Sequence, residues 1–295
     1  MTGTMKLAQH VAAQPKKPGR LGKLALRRPR ARRFHAYCIG TSKSGTHSLA
    51  EVFGQRSHVA HEPDHEQLID MILDASSGVT SESQIAKFVR SRDSRLQLEL
   101  ECSHPLFHLL DVLLGEFHEA KFILTIRDCY SWLDSQINSQ LSYLESNHWQ
   151  KFGDFKYSGE TGRHANEEQV FAQFGLYTLD GYLAAWAAHN EKVLTTVSGD
   201  RLLVVRTQDI GKDAPKLADF LGVPLNHLDT GAVHSFKGGK KFNLLAKLDE
   251  QYLDEKVNKY CRTLMHAYFP EVENFRAWET KRRRVLSSSP VNSNR

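Results

Sequence analysis

The sequence has few cysteines and no long apolar run. Its four cysteines, Cys38, Cys102, Cys129 and Cys261, include no pair with CxxC spacing, the pattern typical of zinc sites and thiol–disulfide exchange. No stretch of about 18 apolar residues occurs, so no membrane-spanning helix is predicted. We therefore expect a cytoplasmic protein whose thiols are reduced and buried.

Acidic residues are absent from the first 33 positions, which carry ten Lys or Arg. The rest of the chain has 29 basic and 34 acidic residues, a balance of −5 within a total of +5. Charge therefore predicts no nucleic-acid groove in the folded body. We expect a basic disordered arm at 1–33, one domain at 34–275 and a basic, serine-rich flexible tail at 276–295. The arm is either a solvated leader or a peripheral contact with an anionic membrane or polyanion.

Strand-forming runs alternate with helical runs through the body of the sequence. Strands are predicted at 34–40, 95–100, 120–128 and 201–207. Late helical runs lie at 170–197, with a break near Gly175 or Gly181, and at 244–267. This alternation predicts an α/β fold, a parallel sheet flanked by helices on both faces. In such sheets ligands bind at the carboxyl ends of the strands.

One connection, residues 147–169, is too long and too rich in glycine and aromatic residues for a simple link. We interpret it as a lid or acceptor loop. Its aromatic side chains either stack on a sugar or lipid–sugar or simply anchor the loop; they are Trp149, Phe152, Phe155 and Tyr157.

A glycine-framed loop, GTSKSG at 40–45, joins the first strand to the first helix. Its backbone N–H groups and the positive end of the helix favour a bound phosphate. A nucleotide-hydrolysing P-loop has Lys-Ser/Thr directly after its last glycine, to hold terminal phosphates and magnesium. Here Thr46 and His47 occupy that place, and the only lysine, Lys43, precedes Gly45. The loop therefore predicts a phosphate held without metal, unless it is an incidental turn.

The segment SKSGTHSL resembles the 5′-phosphosulfate loop of sulfotransferases, which usually reads Pro-Lys-Ser-Gly-Thr-Thr-Trp. Those enzymes move a sulfuryl group from 3′-phosphoadenosine 5′-phosphosulfate, PAPS, to an acceptor and release adenosine 3′,5′-bisphosphate, PAP. The resemblance implies a P-loop nucleotide-binding-like fold. It also implies donor binding by Lys43, Ser44, Gly45, Thr46, His47 and Ser48. Ser42, His47 and Ser48 differ from the usual pattern.

Two later segments are similar to the family's 3′-phosphate motifs. Arg127 ends a predicted strand and Ser135 follows eight residues on, about two turns into the next helix. An arginine fork and a hydroxyl at this spacing could face one phosphate. Lys237 and Gly238 match a late Arg-Lys-Gly segment, in which Phe236 takes the place of the arginine.

Two residues are candidates for the base that accepts the acceptor proton. His104 lies where the cytosolic branch of the family has its catalytic histidine, and an ordinary histidine pKa of about 6.5 suits this work. Glu62 lies where carbohydrate-modifying branches often have Glu-Pro. Glu101 is a third possibility. The sequence leaves this choice open.

The segment HEPDH at 61–65 also contains the zinc-protease pattern HExxH. Pro63 disfavours the helical conformation at Glu62 that this pattern requires, so we predict no metal.

The expected activity is sulfuryl transfer from PAPS to a hydroxyl of a carbohydrate, glycolipid or natural product, with Lys43 neutralising the leaving phosphate. A P-loop kinase-like phosphotransferase is one alternative. A non-catalytic protein that binds a polyanion or membrane on the same fold is the other. Neither the acceptor nor the oligomeric state follows from the sequence.

Overall fold

A computed structural model describes residues 31–54, 56–143, 146–159, 163–231 and 240–288. Its strands are β1 (Ala36–Cys38), β2 (Val59–His61), β3 (Leu100–Cys102), β4 (Lys121–Ile126) and β5 (Leu202–Arg206). Its helices are α1 (Thr46–Phe53), α2 (His65–Ser76), α3 (Glu82–Leu96), α4 (Leu110–Glu116), α5 (Cys129–Ser142), α6 (Asn147–Tyr157), α7 (Gln169–Gln173), α8 (Leu179–Thr196), α9 (Ala214–Leu221), α10 (Glu250–Tyr260), α11 (Arg262–Tyr268) and α12 (Phe275–Ser288).

The strands form one sheet in the order β2-β3-β1-β4-β5, and every neighbouring pair is parallel. β1 is central, with β3 on one side and β4 on the other. After β1 the chain adds β2 and β3 on one side of this strand, and later adds β4 and β5 on the other side. This reversal creates a crevice at the carboxyl ends of the strands.

Alternating residues of the central strand enter two different cores. Ala36 and Cys38 pack with the apolar residues of α1 and α9 on one face. Tyr37 and Ile39 pack on the other face with α2, α3 and α4. This period of two follows from the pleat of a strand. The predicted parallel sheet with helices on both faces is confirmed.

A third core lies beyond the sheet, where α5 and α8 pack with α10, α11 and α12. Trp132 and Trp186 are fully buried in it. The predicted break in the long helical run is present between α7 and α8, at Gly175, whose φ is +66°. In the described parts of the chain, no helix is both long and apolar enough to cross a membrane.

The structure departs from the predicted elements in several places. The predicted loop at 147–169 begins with helix α6. Gly153 does not break this helix; it lets the helix approach Tyr177, whose hydroxyl would lie 2.7 Å from an added Cβ. The predicted strand at 95–100 is wrong in position, because α3 continues to Leu96 and β3 begins at Leu100. The edge strand β2 has no counterpart in the prediction.

The boundaries of the domain also extend beyond the predicted ones. Helix α12 occupies residues 276–288, for which the sequence predicts a flexible tail, because Trp278 is buried and its indole N–H donates to Ser131 Oγ at 2.7 Å. At the other end, Arg32 and Arg33 of the predicted arm form ion pairs with Asp93 and Glu99.

Candidate active site

All five strands end at the same edge of the sheet, and a candidate residue follows each of them. The sheet is parallel, so these ends meet in space although they are far apart in the chain. The residues concerned are Gly40 and its loop after β1, Glu62 after β2, His104 after β3, Arg127 after β4 and Thr207 after β5.

The loop after β1 depends on two glycines and one strained lysine. A Cβ at Gly40 would lie 2.1 Å from Thr125 Oγ1 on β4, so only glycine fits there. Gly45 has φ 103° and is the N-cap of α1, while Lys43 has φ 64°. A non-glycine residue in the left-handed region stores strain, which is typical of ligand-binding turns. The first turn of α1 offers N–H groups that have no acceptor within the helix.

The predicted ligand Ser44 shapes the loop from inside. It is fully buried, and its N–H and hydroxyl both donate to the Thr41 carbonyl, at 3.1 and 2.7 Å. Thr125 Oγ1 lies 2.8 Å from its hydroxyl. The hydroxyl of Thr207, after β5, contacts the carbonyls of Ser44 and Ile126. The loop is therefore fixed to both β4 and β5.

Helix α5 fixes the exposed side of the same loop. Trp132 Nε1 donates to the Ser42 carbonyl at 2.8 Å, and the Ser42 hydroxyl donates to Gln136 Oε1 at 2.8 Å. Ser135, the predicted 3′-phosphate residue, is the neighbour of Gln136 and is half-buried. Helix α5 therefore contacts the loop after β1 and also carries Ser135.

Arg127 lies directly beside the loop, since its Nη1 donates to the Lys43 carbonyl at 3.3 Å. Burial lowers the pKa of the Arg127 guanidinium, while the carboxylates of Asp128 and Asp134 raise it. Asp128 is the N-cap of α5 and accepts from the Ser131 N–H. The structure thus brings Arg127 and the backbone of Lys43 together, with α5, which carries Ser135, beginning directly after Arg127.

The two principal candidate bases are hydrogen-bonded to each other. His104 Nδ1 lies 2.7 Å from Glu62 Oε1. Burial lowers the pKa of His104 to about 4, against the opposing effect of the Glu62 carboxylate. The imidazole is therefore neutral near pH 7. Its Nδ1–H donates to Glu62, which leaves the lone pair on Nε2 as the proton acceptor.

A strained turn holds Glu62 in this position. Glu62 has φ 49°, and the buried Arg92 donates to the next carbonyl, that of Pro63, at 2.7 Å. Arg92 also forms a buried, two-pronged ion pair with Glu101. Glu101 is therefore committed to this pair, which argues against the third candidate base.

His61 lies between the His104–Glu62 pair and the loop after β1. Its Nε2 lies 3.1 Å from Thr46 Oγ1, the first residue of α1. Its Nδ1 lies 4.0 Å from Glu62 Oε2. The His47 ring packs edge-on against His61, with 5.1 Å between ring centroids. Sequence reasoning gave His61 no role outside the zinc pattern.

That zinc pattern is not helical in the structure. His61 ends β2 and His65 begins α2, with Glu62 and Asp64 both at positive φ between them. Among the described residues, no group of three His, Cys, Asp or Glu side chains is arranged to hold a metal ion.

Helix α6 covers the hydrogen-bonded pair of His104 and Glu62. The Trp149 indole is stacked on the rings of His65 and His104. The centroid distances are 5.2 Å to His65 and 5.3 Å to His104, and each ring plane lies within 17° of the indole plane. Phe152 and Tyr157 are buried and anchor the helix, whereas Phe155 is 37% exposed. Of the four aromatic residues in the predicted loop, Trp149 and Phe152 contact His104, with ring centroids at 5.3 and 5.7 Å.

Two predicted donor residues, Lys237 and Gly238, lie outside the described residues. The segment that follows them packs on α5. Lys241 Nζ lies 3.0 Å from Asp134 Oδ2, and the Phe242 N–H donates to Asn138 Oδ1 at 2.7 Å.

Several residues that build the site escape sequence reasoning because their part is to hold other residues. Thr125, Trp132 and Gln136 fix the loop, and Arg92 fixes the Glu62 turn. Thr207 carries a weak sequence signal, since it follows a buried strand at the edge where ligands bind.

This arrangement, a phosphate-type loop beside an arginine and a histidine–carboxylate pair, is that of a group-transfer site built on a P-loop-like sheet. Residues 37–230 match the family model described as "Sulfotransferase domain", and the chain belongs to that family. The resemblance inferred from the motifs is confirmed.

Solved structures give more distant likenesses. A sulfotransferase from Alicyclobacillus acidocaldarius is 17% identical, covering 84% of this chain and all of its own length, with a TM-score of 0.44. The sulfotransferase domain of the Synechococcus PCC 7002 olefin synthase is 17% identical over 77% of this chain and 86% of its own, with a TM-score of 0.36. The sulfotransferase domain of the curacin biosynthetic pathway is 14% identical over 88% and 99%, with a TM-score of 0.34. A comparison with curated proteins finds no match.

Proposed function

We propose that the protein transfers a sulfuryl group from PAPS to a hydroxyl of a carbohydrate, glycolipid or natural-product acceptor. The observation that supports this proposal is the contact between Arg127 Nη1 and the Lys43 carbonyl, which joins one residue of each predicted phosphate site. The His104–Glu62 pair reaches the same loop through His61 and Thr46.

The described residues fit this donor. The close approach at Gly40 leaves a loop with no room for a larger side chain, and the first turn of α1 directs N–H groups at an anion. Arg127 and the half-buried Ser135 offer donors suited to a second phosphate. When bound, PAPS supplies the sulfuryl group and a leaving phosphate.

Different residues of this chain then act on the acceptor hydroxyl and on the leaving phosphate. His104 Nε2 takes the proton from the acceptor hydroxyl, and the Glu62 carboxylate stabilises the imidazolium that forms. A base in this position contributes on the order of 10²–10⁴-fold to the rate. Lys43 and the N-terminus of α1 stabilise negative charge that develops on the leaving phosphate.

Trp149 supports the choice of acceptor class. Its indole is partly exposed and stacks on His104. We assign the exposed edge of this indole to the wall of the acceptor site, beside the His104 ring, where it contacts a sugar ring or another ring-bearing hydroxyl compound.

Isothermal titration calorimetry tests the donor. We expect PAP to bind without metal and more tightly than ATP with magnesium. Preference for ATP with magnesium would favour the kinase-like alternative, against which the absence of Gly-Lys-Ser/Thr at 45–47 already argues. A mass-spectrometric screen of hydroxyl acceptors with PAPS would then identify the product, which should be heavier than the acceptor by the mass of one SO3 group.

Deleting residues 1–30 tests the non-catalytic alternative. This truncation keeps Arg32 and Arg33, whose ion pairs belong to the folded domain. Retained transfer activity would show that the basic arm is dispensable for chemistry. Binding of the full chain, but not of the truncated chain, to anionic vesicles would assign the arm to peripheral membrane contact.

A further inference from the structure

We propose that helix α12 completes the nucleotide side of the site, with Arg282 as a second guanidinium for the 3′-phosphate. This inference rests on the proposed function and adds a binding residue to it. It concerns a helix that lies outside the matched family region, which ends at residue 230.

The argument begins with one face of α5. Ser131, Asp134, Ser135 and Asn138 are spaced at three, four and seven residues, so they share a face of this helix. Three of them are contacted by later parts of the chain, as given above for Trp278, Lys241 and Phe242. Ser135 lies among them, half-buried.

Arg282 lies where these two covering elements meet. Its guanidinium is 5.3 Å from the centre of the Trp278 ring, one helical turn earlier on α12. It also donates to Asn243 Oδ1, next to Phe242. Both of its neighbours therefore border the face of α5 that carries Ser135.

The partners of Arg282 differ from those of three other cations of α12. Arg276, Lys281 and Arg283 pair with Glu250, Glu271 and Glu279, respectively. Within the described residues, Arg282 instead contacts a neutral amide and a neutral ring. No carboxylate in the described ranges of the chain therefore pairs with this guanidinium.

The charges around Ser135 require such a cation. Asp128 and Asp134 are both buried and both act on Arg127. Lys241 is paired with Asp134. Arg127 alone would still face the Asp128 carboxylate and a phosphate of nearly two negative charges. Arg282 supplies the further positive charge, and its fork can bind a phosphate through two N–H groups.

Calorimetric titration of Arg282→Gln tests this role, with PAP and with adenosine 5′-monophosphate, which lacks the 3′-phosphate. In Arg282→Gln we expect the dissociation constant for PAP to rise at least tenfold. The constant for the monophosphate should change by less than twofold. Arg282→Lys should recover part of the PAP affinity. Arg283→Gln, whose side chain pairs with Glu279, is the matched control and should change neither constant.

Unchanged PAP affinity in Arg282→Gln would overturn the inference. So would an equal loss for both ligands accompanied by a lower melting temperature, because that result shows a structural role. Failure of the wild-type protein to bind PAP would instead overturn the proposed donor, and this inference with it.

Discussion

The proposed donor side and the proposed acceptor side of the site are built in different ways. On the donor side, residues 40–48 form one continuous loop and helix start, fixed by hydrogen bonds from Thr125 of β4, Thr207 after β5 and Trp132 of α5. On the acceptor side, Glu62, His104 and Trp149 come from three distant segments and meet through single contacts.

Their electrostatics differ as well. The donor side concentrates cations, Lys43 and Arg127, where anionic groups would bind. The acceptor side buries an imidazole, whose pKa falls to about 4. The difference suggests that one side selects by charge and geometry, and the other keeps a base neutral and shielded from water.

The largest expected effect is at the donor loop. Lys43→Ala should lower turnover about 10³-fold, because it removes the cation that stabilises the leaving phosphate. Steady-state kinetics with PAPS would measure this. Lys87→Ala, an exposed lysine on α3, is the control and should behave as wild type. Turnover within threefold of wild type in Lys43→Ala would contradict the assignment of the loop.

Substitutions of His104 and Glu62 should have large and non-additive effects on turnover. His104→Asn should lower turnover by at least 10²-fold, Glu62→Gln by less, and the double variant no further than His104→Asn. Residues that act as a unit give such non-additivity. Multiplicative losses, measured by kinetics at saturating PAPS, would show that the two residues act independently.

Arg127→Ala should mainly affect donor affinity. We expect the PAP dissociation constant to rise roughly 10–100-fold, since an arginine–phosphate interaction is lost, with turnover at saturating PAPS nearly unchanged. Arg90→Ala, which removes an exposed pair with Glu116, provides the control. Equal PAP affinity in wild type and Arg127→Ala would remove the second phosphate site from the proposal.

The pH profile should report the burial of His104. Because its pKa is about 4, kcat/KM should stay flat from pH 5.5 to 8, as far as this group is concerned. Trp149→Ala uncovers the ring and should shift the acidic limb upward, toward the ordinary histidine value of about 6.5. Trp149→Phe keeps the stacking and should leave the limb in place. A limb near 6.5 in the wild type would contradict the buried state.

The smallest effect concerns stability. The buried His189 donates Nε2–H to the Ile39 carbonyl at 2.7 Å, and burial lowers its pKa to about 3. The unfolded chain binds a proton below about 6.5, whereas the folded chain does not until near 3. The free energy of unfolding therefore falls as the pH falls through this window, by up to about 1.4 kcal/mol per pH unit for this group.

Urea unfolding at several pH values between 7.5 and 5 measures this slope. His189→Asn removes the titrating group and should flatten the slope, whatever its effect on absolute stability. An identical slope in the variant would assign the acid sensitivity to other groups, such as the buried His104.

This contrast also explains what the sequence could predict. The donor loop, Arg127 and the parallel sheet follow from local spacing, because a strand, a turn and a helix start are contiguous in the chain. The pairing of His104 with Glu62 joins residues 42 positions apart. It depends on β2, an edge strand of three residues that carries almost no local signal.

The same reasoning applies to helix α6. Gly153 and the polar residues around it are typical of a loop, but the buried Phe152 and Tyr157 stabilise a helix through tertiary packing. Propensity alone could not weigh these contacts. Arg282 was similarly beyond prediction, because nothing in the run KRRR distinguishes it from its neighbours until their carboxylate partners are known.

The meeting of five strand ends at one edge has a consequence for how activity arises during folding. Contacts between segments far apart in sequence form late, because closing long loops costs entropy before those contacts are made. A chain with β1 and α1 in place but β5 still detached would lack the Thr207 hydroxyl that braces the loop. Catalytic competence should therefore appear only with the last stage of assembly, so that enzyme activity itself serves as a sensitive gauge of complete refolding.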